Sequence, residues 1–132
     1  MQAWKRIWRE GLAPQLSDAA LEALRGALSR DDGRLVQRMT TAPPAIDIFA
    51  DSAVEAACAL GYCGWKGDGH ETVGDLSHFF ERVCATADEA LGEPGVCRHF
   101  LSWFDETPRR EMRRQLLREV NRALNRRVAT AA

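Results

Sequence analysis

The residues of this chain whose types could do chemistry crowd into one stretch. Residues 54–70 hold two of the four cysteines, one of the three histidines and one of the four tryptophans. Within it, Gly64, Gly67 and Gly69 fall in six positions. Glycines so close together imply backbone at positive φ, or close approach by something else. Tyr62, Cys63, Trp65, Asp68 and His70 surround them, so residues 61–70 form the candidate ligand or metal site. Gly67-Asp-Gly69 resembles part of a calcium loop, but acidic residues do not follow at alternate positions, and a connector turn is the plainer reading.

The cysteines are spaced C-x4-C-x20-C-x12-C. Zinc sites bring local pairs two to four residues apart and need four ligands, so this spacing sits at the edge of the pattern. Cys58, Cys84 and Cys97 occupy apolar helical positions beside Val54, Phe80 and Leu101 and read as buried core thiols. Cys63, between Tyr62 and Gly64 at a helix end, is expected to be the reactive one. Asp75, His78 and Glu81 align on one helix, yet a di-iron bundle needs two Glu-x-x-His pairs, and a solvated face is expected instead. His99, beside Phe100, is expected to be half-buried. No zinc-protease, P-loop, nucleophile-elbow or dinucleotide motif occurs. A non-enzymatic protein with no cofactor and no resident metal is therefore expected.

Charge carries the second signal. Residues 1–107 hold 10 Lys and Arg against 17 Asp and Glu, a net of −7. Residues 108–132 hold 8 Arg against 2 Glu, a net of +6. Such a split implies an acidic partner for the tail, or a tail that docks on its own acidic body. At about 100° per residue, Arg110, Arg114, Arg118, Arg122 and Arg126 sweep one half of the last helix. Met112, Leu116, Leu117, Val120, Ala123 and Leu124 fill the other, where Arg109 and Arg113 intrude. Arg113 is expected to be held by a carboxylate of the acidic middle. The five arginines form the candidate interaction surface. A protein partner suits them best. Nucleic acid is the alternative, disfavoured because Glu111 and Glu119 interrupt the basic half and no base-reading module is recognisable.

These groups must be positioned by helices. No segment shows a sustained strand-like alternation. The first helix is expected over residues 2–11, with Trp4, Ile7, Trp8 and Gly11 on one face and Pro14 ending it. The two tryptophans are expected to pack on the bundle rather than anchor at a membrane. Ser17 caps a second helix with Leu21, Leu24, Ala27 and Leu28 inward, and a short helix resumes at 34–39. Residues 40–44 are extended or turning, and 45–50, which alternate briefly, read as a buried loop or an isolated extended piece rather than sheet. A third helix, capped by Asp51 or Ser52, runs to Tyr62. Thr72 caps the fourth, with Asp75 three residues on, and Gly92 ends it. Pro94 starts the fifth, and Thr107-Pro108 starts the last with Thr107 as its cap.

A length of 132 residues suits one domain over 1–132. The expected fold is all-α, a compact bundle or orthogonal array of five to six helices, with no paired strands. With no apolar run of about 18 residues and no apolar signal core, a cytoplasmic protein with reduced thiols is expected. The oligomeric state is not legible.

Overall fold

A computed structural model describes residues 1–39, 41–42 and 50–131, and the fold is all-α. Six helices appear among these residues: α1 (Ala3–Ile7), α2 (Asp18–Arg30), α3 (Ala59–Tyr62), α4 (Val73–Leu91), α5 (Val96–Glu106) and α6 (Arg109–Ala131). The expectation of no paired strands is corrected at one place. Strand β1 (Thr41–Ala42) pairs antiparallel with β2 (Ala56–Ala57).

The first helix is longer than its spacing predicts. From α1 the chain continues through a π-helical turn, Trp8–Leu12, into a 3-10 turn, Ala13–Gln15. Pro14 lies inside that last turn instead of ending the helix before it. Its missing N–H costs nothing at the start of a short turn. Trp4, Ile7, Trp8, Gly11 and Leu12 are buried. Trp4 stacks on Trp103 at 3.6 Å between ring centroids, and Trp8 lies 5.8 Å from Phe100. Both tryptophans belong to the core of the bundle.

Ser17 caps α2, its Oγ accepting from the Ala20 N–H at 3.0 Å. The helix closes at Asp31, which holds a left-handed φ of 52°. No helix resumes at 34–39. The Asp32 carboxylate instead accepts from the Arg34 N–H at 2.9 Å, folding the chain into a turn. Leu35 then bridges to Ala57, with Val36 N–H donating to the Ala57 carbonyl at 2.9 Å. That bridge explains the next difference. Residues expected to form a helix from 52 onward are extended up to Cys58, because Ala57 is bonded on both sides, to residues 34–36 and to Thr41. The third helix therefore starts at Ala59, with Cys58 Sγ accepting from the Gly61 N–H. Residues 40 and 43–49, read from sequence as an extended or turning segment and then a buried loop or isolated extended piece, lie outside the described residues.

Thr72 caps α4 as expected, its Oγ1 accepting from the Asp75 N–H at 3.2 Å. Gly92 closes it at φ 70°. Pro94 does not open α5. The helix begins after Gly95, at φ 74°, and the Asp88 carboxylate accepts from the N–H groups of Gly95 and Val96 at 3.1 and 3.0 Å. A carboxylate from the preceding helix thus serves the N-terminus of α5, where negative charge is favoured. Thr107 also differs from expectation. Its hydroxyl donates back to the Trp103 carbonyl at 2.6 Å, closing α5 rather than capping α6. The Pro108 carbonyl accepts the first bond of α6, from Met112. Met112, Leu116, Val120 and Leu124 face the core, and no described helix is long and apolar enough to cross a membrane.

Candidate functional site

The glycine-rich segment is a packing joint. The chain passes from α3 into a second π-helical turn, Cys63–Gly67, instead of a loop. A Cβ on Gly64 would sit 2.6 Å from Phe79 Cδ1, and one on Gly67 would sit 2.3 Å from the Ala20 Cα. Gly69 holds φ +82° in open space. Two of the three glycines admit close neighbours from α4 and α2, and the third makes a turn.

The candidate residues around them are engaged internally. Tyr62 is buried, and its hydroxyl donates to Asp32 Oδ2 at 3.0 Å. Trp65 meets Tyr62 edge-on at 5.9 Å, and Lys66 Nζ lies 4.3 Å from its centroid. Asp68 accepts from Ser17 Oγ at 2.6 Å. The His70 ring lies 5.5 Å from Phe79. Cys63 is 0% exposed, and burial pushes its thiol far up, away from the reactive thiolate. The expectation that Cys63 is the reactive cysteine is thereby corrected. The π turn carries it inward.

The other cysteines divide unevenly. Cys58 is buried with its thiol pushed up to about 11, chiefly by desolvation. Cys97 is buried as expected, whereas Cys84 is only half-buried. Both line one cavity between α4 and α5. Asp75, His78 and Glu81 are exposed. His99 is exposed too, not half-buried, because one step along α5 turns it away from the buried Phe100. Among the described residues no three His, Cys, Asp or Glu side chains are arranged to hold a metal ion.

The arginines of α6 sort into two sets. Arg109 donates to Asp31 Oδ1 at 2.7 Å and to the Asp32 carbonyl at 3.0 Å. Arg113 donates to the carbonyls of Leu28 and Ser29 at 2.9 and 3.2 Å, with Asp31 Oδ1 at 3.6 Å. Its main partners are thus the C-terminal carbonyls of α2 rather than a carboxylate, a placement the negative end of that helix favours. Arg127 reaches Asp18 and the Ala13 carbonyl, both at 2.8 Å. Arg114 pairs with Glu111 on its own helix. Arg110, Arg118, Arg122 and Arg126 have no carboxylate partner among the described residues.

Beside this second set lies a feature that the sequence did not disclose. Glu119 is 2% exposed and takes a two-point bond from Arg9, at 2.7 and 2.8 Å. The Arg9 guanidinium holds its carboxyl below the usual range, against the opposing effect of burial. The pair borders a cavity of about 230 Å³ between the first π turn and α6, lined also by Trp8, Pro14, Arg122 and Arg126. Trp8 is 0% exposed, and its Nε1–H has no acceptor among the described residues. A buried donor without a partner is uncommon, and π turns in helices recur at functional sites. The only hint in the sequence is an acidic residue within an arginine series. Comparison with family models, with curated proteins and with solved structures finds no match for this chain.

Proposed function

We propose that this protein is a non-enzymatic, cytoplasmic interaction module whose α6 arginines receive an acidic segment of a partner protein. One observation carries the reading. Arg109, Arg113, Arg114 and Arg127 are paired within the chain, whereas Arg110, Arg118, Arg122 and Arg126 are left over on the outer side. Sixteen helical steps from Arg110 to Arg126 span about 24 Å. Guanidinium groups spread over that length and around one half of the helix suit carboxylates, which they bind at two points. Asn121 and Asn125 lie between the last three arginines and add neutral donors and acceptors. The cavity at the end of that stretch offers one deeper contact. A carboxylate side chain there would meet Arg122 and Arg126, with Glu119 already neutralised by Arg9.

Two features favour protein over nucleic acid. The body carries a net −7, which repels a phosphate backbone, and Glu111 sits on the same helix. The test uses the intact protein and a triple variant, Arg118→Glu, Arg122→Glu and Arg126→Glu, as baits in nuclease-treated extract of the native cell. The expected result is a defined protein bound by the parent and lost from the variant, with the two melting alike. Identical captured sets from both baits would discard the reading. Capture that disappears with nuclease would put nucleic acid in its place.

A further inference from the structure

We infer that Cys84 and Cys97 form a hydroperoxide-oxidised dithiol, with Cys84 as the attacking thiol and Cys97 as the thiol that resolves it. The two residues lie on α4 and α5, helices that pack on each other and are joined by the turn at Gly92 and Gly95. Both line one cavity of about 640 Å³, together with Phe80, Asp88, Arg98 and Leu101. Asp88, one turn after Cys84, accepts from the N–H groups of Gly95 and Val96, which sets the start of α5, and Cys97 with it, against that part of α4. Access separates their roles. Cys84 is half-buried at the cavity wall, whereas Cys97 is 4% exposed behind it. Cys58 and Cys63 are closed off in the core.

The electrostatics agree with that division. The neighbouring Cys97 thiol favours the thiolate at Cys84 and lowers its pKa, in spite of partial burial and the nearby Asp88 carboxylate. The same proximity, together with burial, keeps the proton on Cys97 and raises its pKa. Asp88 is occupied with the N–H groups that open α5, so its charge is fixed in place rather than free to swing onto the thiols. A thiolate beside a second thiol, on the wall of an open cavity, is the arrangement in which oxidation is site-selective.

The chemistry balances in two steps. The Cys84 thiolate attacks one oxygen of a hydroperoxide. The S–O bond forms, the O–O bond breaks, and an alcohol, or water in the case of hydrogen peroxide, leaves with a proton. The Cys97 sulfur then attacks the Cys84 sulfenic acid. The S–S bond forms, the S–O bond breaks, and water leaves with the Cys97 proton. Two thiols supply two electrons, and the peroxide takes them. The product ties α4 to α5 beside the turn that joins them. This inference does not depend on the arginine face.

Hydrogen peroxide at one equivalent, added to the full chain, tests it directly. Intact mass and peptide mapping should show the loss of two hydrogens, an intramolecular Cys84–Cys97 disulfide, and Cys58 and Cys63 still reduced. In Cys97→Ser the reaction should stop at a sulfenic acid on Cys84, trapped by dimedone. In Cys84→Ser and Cys84→Ala the initial rate of peroxide consumption should fall at least tenfold. Oxidation first at Cys63 or Cys58 would overturn the inference. So would disulfides only between chains, or progression of Cys84 to sulfinic acid with Cys97 untouched in the parent. The mapping of the parent protein reads the result even where a variant folds poorly.

Discussion

Glu119 interrupts an arginine series in the sequence and proves to be its most constrained member in space. Its carboxylate is buried against Arg9, whose side chain keeps 27% of its exposure. The two partners are therefore not equivalent. Arg9→Ala leaves a buried carboxylate unpaired, and breaking such a pair costs about 3 kcal/mol or more. Glu119→Gln keeps the shape, leaves Arg9 able to turn toward solvent, and should cost about 1–2 kcal/mol in denaturant melts. A reversed order would place the desolvated group on Arg9 instead. Arg113 gives the second prediction at this scale. It holds carbonyls of α2, so Arg113→Ala should cost about 1.5–3 kcal/mol, the range of a charge-assisted bond. Lysine should not restore it, because two carbonyls are met by a planar fork that an ammonium lacks. Arg118→Ala, on the exposed side, should change the melt by less than about 0.5 kcal/mol. Equal losses at 113 and 118 would contradict the split between the two arginine sets.

At the scale of elements, the glycines of the second π turn separate two physical reasons for the same residue type. Gly67 faces backbone, with the Ala20 Cα 2.3 Å from the place of a Cβ, so neither side can yield without moving α2. Gly67→Ala should cost about 3 kcal/mol, the upper end for overpacking. Gly69 meets nothing within 4 Å but holds φ +82°, so Gly69→Ala should cost about 1 kcal/mol of backbone strain. Chemical denaturation of the two variants checks the ratio, and equal effects would mean that the joint has slack. The same region marks where reading from sequence stops. Ser17, Thr72 and Gly92 were legible because a cap acts on the N–H or carbonyl groups of its own turn. The alanine-rich stretch before Cys58 was not, since its helix propensity is a weak preference and Leu35 and Thr41 claim its backbone from a distance. Gly64 and Gly67 announced close approach, and the approaching groups proved to be α4 and α2 rather than a ligand. Thr107 had both a helix to end and one to begin, and nothing local decides between them. That Cys84 and Cys97 share one cavity depends on how two helices lie against each other, which spacing alone does not report.

At the scale of the whole molecule, the opposition between an acidic body and a basic last helix is partly spent in holding α6 down. Arg109 and Arg113 fasten it to the end of α2, Arg127 fastens it near the start, and Arg9 reaches across to Glu119 from the first π turn. The carboxylates in and around these contacts share a direction. Arg109 holds Asp31 below its usual range, and Arg9 does so for Glu119. Asp32 is held well below by the Arg34 guanidinium and N–H and by the Tyr62 hydroxyl, against its partial burial. A carboxyl group whose folded pKa lies below its unfolded value binds its proton more weakly when folded. Its contribution is complete above the unfolded pKa, near 4 for Asp and Glu, and is lost as pH falls toward the folded one. Stability should therefore be flat with respect to these groups from about pH 7 to pH 5, and should decline steadily below about pH 4.5. Moderate salt should matter less than acid. Glu119 is shielded from screening by burial, whereas an exposed pair such as Arg114 with Glu111 contributes little to begin with. Urea melts at a series of pH values, for the parent and Glu119→Gln, check the assignment, with the variant expected to show the shallower decline. Parallel curves would mean that acid acts through the other lowered carboxylates, Asp31, Asp32 and Glu111, and that the Arg9–Glu119 pair fixes the position of α6 without contributing to its pH dependence.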